Sequence, residues 1–150
     1  MVTVSDSRSA ADDSSGAAIS ERLEAEGHRR VAYEIVADEP ALVASAIGRL
    51  AAEADAVITN GGTGIAPRDN TYEAVAGLLE KRMDGFGELL RMLSYEEVGS
   101  AAMASRAVAG TIGSCLIFSL PGSTAACRLA TDRLIAPELG HLCALVGGRD

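Results

Sequence analysis

Aromatic side chains are scarce: the chain has no Trp, three Tyr and two Phe among 150 residues. That excludes a base-stacking platform for single-stranded nucleic acid, which needs several exposed rings. It also leaves the core to Ala, Val, Ile and Leu. Positive charge is short as well, with 13 Lys and Arg against 21 Asp and Glu and a formal net charge of −8. Such a field repels polyanions, so neither DNA nor RNA is expected as a partner. A small phosphorylated ligand stays admissible, because backbone N–H groups and helix N-termini hold phosphate without a basic surface.

Cysteine and histidine are few. Cys115, Cys127 and Cys143 are odd in number, lie in apolar surroundings and form no CxxC pair, so they read as buried thiols of a reducing compartment. His28 and His141 have no neighbours at zinc-ligand spacing. There is no run of eighteen apolar residues and no apolar stretch in the first sixteen, so no membrane association or export is expected and the cytoplasm is the expected location. What remains is 48% hydrophobic and 23% charged, ordinary globular values that fit one domain over residues 1–150, enough to bury roughly two-thirds of the unfolded surface.

The pattern along the chain alternates strands and helices. Val2–Val4 is a short β-branched run. Asp12-Asp13-Ser14-Ser15-Gly16 caps a helix that Gly27 stops. Residues Val31–Val36 predict a strand, and Pro40 opens a helix with Leu42, Val43, Ile47 and Leu50 on one face. Asp55–Thr59 reads as a central parallel strand covered on both sides. Asn70 or Thr71 starts a helix predicted to reach about Arg82, and Gly85–Glu97 predicts another, ended by Gly99. The segment 105–114 could turn back beside the sheet before a strand at Cys115–Leu120. A helix over Ala125–Leu134 and a final one from Pro137 complete the chain. The β-α-β-α-β alternation predicts a three-layer, doubly wound α/β fold with a mostly parallel sheet and helices on both faces.

In such sheets ligands bind at the carboxyl ends of strands, where four loops gather here: Ser5-Asp6-Ser7 to Gly16, Asp38-Glu39-Pro40, Gly61 to Thr71, and Pro121-Gly122-Ser123. Their glycines, hydroxyls and carboxylates suit an anion wrapped in main-chain donors with a metal near it. The turn Gly61-Gly62-Thr63-Gly64 matches neither the Walker pattern nor a GxGxxG fingerprint, which disfavours a P-loop NTPase or an NAD enzyme. From spacing alone, Asp38 and Asp69 are either metal ligands or caps of the helices that follow them.

The longer string Thr59-Asn60-Gly61-Gly62-Thr63-Gly64-Ile65-Ala66-Pro67-Arg68-Asp69-Asn70-Thr71 closely resembles the signature of the MoaB/Mog family. The resemblance extends through Val4-Ser5-Asp6-Ser7-Arg8, Asp13-Ser14-Ser15-Gly16, Val36-Ala37-Asp38-Glu39, Gly85-Phe86-Gly87-Glu88, Ser105-Arg106-Ala107, Leu120-Pro121-Gly122-Ser123 and Pro137-Glu138-Leu139. It implies a molybdopterin-binding fold, a homo-oligomer (trimer or hexamer), and a role in molybdenum cofactor biosynthesis, with contacts to other proteins of that pathway. The implied reaction is Mg-ATP-dependent adenylylation of molybdopterin with release of pyrophosphate.

By the same resemblance Asp38 and Asp69 are the catalytic pair and the Mg²⁺ ligands. Substrate and nucleotide contacts fall to Ser5, Asp6, Thr59, Gly61, Gly62, Thr63, Gly64, Glu88, Ser105, Arg106, Pro121, Gly122 and Ser123. Glu88 would accept from the pterin's amide and amino donors. Arg68 and Arg106 could meet phosphate as forked donors or pair with acidic neighbours, and Phe86 reads as core or subunit interface. Where the family commonly has Pro, this chain has Thr124 after Ser123 and Tyr72 after Thr71, both at helix starts. Two other readings stay open: a non-catalytic molybdopterin binder, and an oligomeric interaction module of the same pathway.

Overall fold

The structure, a computed structural model, describes residues 1–148. Six strands form one sheet, β1 (Val2–Val4), β2 (Glu34–Val36), β3 (Ala56–Asn60), β4 (Lys81–Arg82), β5 (Val108–Ile112) and β6 (Cys115–Leu120), in the order β2-β1-β3-β6-β5-β4. The first four of that order run parallel, with Val57 opposite Ile117 and Thr3 opposite Ile35. β5 and β4 are added antiparallel. The mostly parallel, doubly wound sheet of the sequence reading is therefore observed.

The helices are α1 (Ser14–Ala25), α2 (Pro40–Ala51), α3 (Thr71–Leu78), α4 (Asp84–Val98), α5 (Thr124–Ala130) and α6 (Ala136–Val146). Two buried clusters occupy the two faces of the sheet. One joins Ile19, Phe86, Leu90, Phe118, Leu120, Ile135 and Leu139; the other joins Val43, Ile47, Val57, Val75, Val108 and Ile117. The alternation along β6 explains the split, since Phe118 and Leu120 face one layer and Ile117 the other. The two Phe rings meet edge to face at 5.2 Å, so Phe86 is a core residue within this chain. Among the described residues no helix is long and apolar enough to cross a membrane.

Three element boundaries differ from the sequence reading. α3 ends at Leu78 rather than near Arg82, because Lys81 and Arg82 pair with Thr111 and Gly110 at the sheet edge. A tertiary ladder there outweighs local helix preference. The strand predicted from Val31 is confined to Glu34–Val36. Pro137 does not start a separate helix: a π turn over Thr131–Ile135 joins α5 to α6, and the proline sits in the first turn after it, where its missing N–H costs little.

Candidate functional site

The carboxyl ends of β1, β2, β3 and β6 lie side by side and deliver the four loops to one edge of the sheet. At its centre Gly61 donates its N–H to Leu120 O at 3.1 Å, which locks the turn to β6. Gly61 and Gly62 both have positive φ, +100° and +63°, a region where other residues are strained. Space forbids a side chain as well. A Cβ on Gly61 would strike Val4 O, and one on Gly62 would strike the Asp38 carboxylate and the Thr71 hydroxyl.

Three anchors fix the peptide planes of the turn. Thr71 N–H donates to Gly62 O at 2.9 Å. Arg106 donates from Nε to Thr63 O at 3.1 Å and from Nη2 to Gly64 O and to Asp69 O. In a trans peptide the N–H points opposite the carbonyl, so these anchors aim the N–H groups of Thr63, Gly64 and Ile65 away from Thr71 and Arg106. None of those three N–H groups finds an acceptor among the described residues.

Both aspartates face this turn. Asp38 packs against Gly62, and a Cβ on Gly64 would strike the Asp69 carboxylate. Neither caps its own helix: the N-cap of α2 is Glu39 and that of α3 is Asn70. Asp38 accepts from Thr71 Oγ1 at 3.2 Å, while Asp69 accepts from Ala66 N–H at 3.0 Å. Burial pushes the Asp38 carboxyl above its ordinary value; the Asn70 N–H and the Thr71 hydroxyl oppose this, and the negative charges of Asp69 and Asp6 add to the rise.

Among the described residues no group of three or more His, Cys, Asp or Glu is arranged to hold a metal by itself. Two mutually repelling carboxylates beside unused phosphate donors do fit a hard cation that takes its remaining oxygens from phosphate and water, as Mg²⁺ does.

The other predicted residues separate into four groups. Asp6 accepts from Asp38 N–H and from Arg68, both at 3.0 Å. Ser5 Oγ accepts from Arg8 N–H at 3.1 Å, and Ser123 Oγ caps α5 through Ala126 N–H at 3.2 Å. These residues, with Pro121 and Gly122, shape the loops through internal bonds. Thr59 is fully buried inside the sheet, so it forms part of the floor and offers no open surface to a ligand; β3 runs one residue further than its apolar run suggested. Arg106 binds loop carbonyls, pairs with Glu73 and lies 5.0 Å from the centre of the Tyr72 ring. The ion pair with Glu73 is the acidic-neighbour alternative of the sequence reading; the fork's hold on the turn carbonyls is an addition that reading did not contain.

Glu88 and Ser105 belong to an adjoining groove of about 480 Å³, which Arg106 and Tyr72 share with the turn. The sequence reading missed three contributors. Asp13 is buried under the site and accepts from Thr3 Oγ1 at 2.6 Å, Tyr33 Oη at 2.8 Å and Gly16 N–H at 2.9 Å. Burial alone would raise its carboxyl, but these hydrogen bonds and the charge of Arg8 hold it below the ordinary value. Arg8 bridges Asp13 to Gly122 O, and Ser15 Oγ reaches the same carbonyl at 3.0 Å. An Arg eight residues into the chain and an Asp-Ser-Ser helix start were the available signals. The cysteines take no part: burial pushes Cys127 up to about 12 and Cys115 up to about 11, so both are inert thiols, while Cys143 is only half-buried.

Known proteins share both the sequence and the fold of this chain. A family model described as "Probable molybdopterin binding domain" matches residues 1–141. The chain is 51% identical over 145 residues to molybdenum cofactor biosynthesis protein B of Bacillus cereus, covering 95% of this chain and 86% of that one. With its counterpart in Staphylococcus aureus it shares 49% over 146 residues, covering 95% and 87%. A crystal structure of a molybdenum cofactor biosynthesis protein B superposes with a TM-score of 0.94 at 48% identity over 98% of this chain and 93% of that one. MoaB of Thermus thermophilus, titled a molybdopterin biosynthesis enzyme, gives 0.87 at 38% identity over 98% and 94%. On sequence and fold together, the chain belongs to the MoaB/Mog family of molybdenum cofactor biosynthesis proteins.

Proposed function

We propose that the chain binds molybdopterin and adenylylates it with ATP. The observation that carries this reading is the row of unused N–H groups at Thr63, Gly64 and Ile65 beside Asp38 and Asp69. A phosphate oxygen of molybdopterin attacks the α-phosphorus of ATP. The bond from that phosphorus to the oxygen bridging the α- and β-phosphates breaks, and pyrophosphate leaves. Little covalent work falls to the protein, so alignment and charge neutralisation supply the rate. The fixed N–H row donates to phosphate oxygens, and Arg106 keeps that row in place. Asp38 and Asp69 would hold Mg²⁺, whose charge would neutralise the phosphates during transfer. Glu88 and Ser105, in the adjoining groove, are within the reach of one extended guest whose phosphate sits at the turn.

The reading includes a cytoplasmic homo-oligomer, a trimer or hexamer. Support comes from α4, which leaves Leu89, Met92, Tyr95 and Val98, spaced three residues apart, at 47–64% exposure, an apolar stripe of the kind that a second copy can cover. Light scattering after size-exclusion tests it.

The deciding experiment incubates the purified chain with molybdopterin, ATP and magnesium. Pyrophosphate released one for one with adenylylated molybdopterin is the expected result. Saturable pterin binding without pyrophosphate would reduce the protein to a binder, and no binding of either substrate would leave only an interaction module.

A further inference from the structure

The groove beside α4 contains two charged groups that the other described residues do not use. Glu88 and Arg91 stand three residues apart on one helix, a spacing at which opposite charges ordinarily pair. Both line the groove, yet among the described residues neither has a hydrogen-bond or ion-pair partner. Arg91 is half-buried. Its Nη1 and Nη2 lie 3.0 and 3.5 Å from where a Cβ on Gly87 would stand, so the guanidinium lies back along the helix over the bare glycine, the direction long helical side chains take.

The other guanidinium groups of the groove are engaged: Arg106 in the turn, and Arg82 with Tyr72 Oη at 3.1 Å and Asp84 at 3.3 Å. Ser105 adds a buried hydroxyl with no partner.

Arg91 is half-buried and Glu88 exposed, so water solvates both charges in the free protein, and a guest that offers each its complement replaces that water with charge-assisted hydrogen bonds. The carboxylate accepts adjacent N–H groups, and the guanidinium donates to a carbonyl or ring nitrogen. One planar edge offers both in sequence, the 2-amino-4-oxopyrimidine edge shared by pterins and guanine. We propose that Arg91 is a specificity-determining residue that donates to the 4-oxo group of such a ring while Glu88 accepts from its amine and ring N–H. This rests on reading the groove as the subsite for the ring end of the guest.

The test titrates the full chain at pH 7, where the pterin keeps its ring N–H, by ligand fluorescence or equilibrium dialysis, with 6-hydroxymethylpterin, with its 4-amino counterpart 2,4-diamino-6-hydroxymethylpteridine, and with guanosine monophosphate. In the 4-amino compound a donor faces the Arg91 donors, so the parent should prefer the pterin by at least about tenfold. The 4-amino compound also lacks the ring N–H that Glu88 accepts, so Arg91→Ala should cut the preference at least about threefold without abolishing it, and Arg91→Lys should restore part of the loss. Unchanged thermal melting shows that the variants fold, and Arg91→Gln serves if Arg91→Ala does not. Guanosine monophosphate bound more tightly than the pterin, with the same Arg91 dependence, sustains the edge reading and names guanine as its source.

An Arg91→Ala variant that keeps the full preference overturns the inference. So does a parent that binds none of the three at millimolar concentration. An Arg91-dependent preference without pyrophosphate release in the separate product assay would leave this inference standing and remove adenylylation. Pyrophosphate release with a preference indifferent to Arg91 would do the reverse.

Discussion

The glycine turn and the groove beside α4 meet at Arg106 and are built on opposite plans. At the turn the side chains are tied to one another and to the backbone: Asp6 to Arg68, Thr71 to Asp38, Arg106 to three carbonyls. What is left open to a guest there is main chain, and the side-chain atoms without partners, Thr59 Oγ1 and Asn60 Oδ1, are buried beneath it. The groove is walled mainly by α4 and by the segment from Met103 to Val108 that leads into β5, and what is left without partners among the described residues is side chains, Glu88, Arg91 and the Ser105 hydroxyl. Main-chain donors recognise phosphate wherever it occurs, whereas a few placed side chains discriminate one ring from another. The first region supplies rigid alignment and the second supplies choice, and the two should be separable by mutation.

The largest effect should come from Gly62→Ala. With φ at +63° and a Cβ driven into Asp38 and Thr71, the turn should lose about 2–4 kcal/mol in urea denaturation. Pyrophosphate release should fall at least about a hundredfold, while the ring preference of the groove persists.

Next comes Asp13→Ala, which strips a buried carboxylate from Thr3, Tyr33 and the start of α1 and should cost about 3 kcal/mol at pH 7. Because the folded carboxyl lies below its ordinary value, its stabilisation is present above the unfolded value and lost as pH falls through the folded one. The variant should therefore show a shallower loss of stability on acidification.

Arg106→Ala frees the Thr63, Gly64 and Asp69 carbonyls and should cost about 1–2 kcal/mol, with KM for molybdopterin raised, since its phosphate is read at the turn that Arg106 holds. Lysine should not replace it, because one ammonium cannot span the fork.

The smallest shift is expected from Asp38→Asn. The native Asp38 carboxyl stands above its ordinary value, so the folded state binds more protons in that window and its stability falls as pH rises through it. The variant should lose that slope and be as stable as the parent at pH 7, or slightly more so. A loss of stability instead would make Asp38 a structural residue.

The parallel half of the molecule was legible because its signals are local. Cys115–Leu120 is a strand with those same bounds, and the strand-loop-helix order alone brings four loops to one edge. The antiparallel edge was not. Lys81 and Arg82 look helical until Thr111 and Gly110 arrive beside them, and nothing near them in the chain announces that pairing. Side-chain commitments were the least legible. Arg106 reads as a phosphate ligand until Thr63 O and Gly64 O are seen to occupy it. The sequence reading did not include Arg91, whose place three residues beyond Glu88 gives no sign that both stand unpaired among the described residues. Asp13 looks like a plain N-cap, which it is, but its ties to Thr3 and Tyr33 bridge segments distant in sequence.

The most direct measurement of whether the turn performs chemistry is a pair of titrations on Asp69→Asn, one following pyrophosphate release and the other molybdopterin binding. The substitution keeps the shape of the side chain and removes its charge beside Gly64. Turnover should fall about a hundredfold or more with pterin affinity held within about twofold. Parent-level pyrophosphate release by the variant would contradict the account.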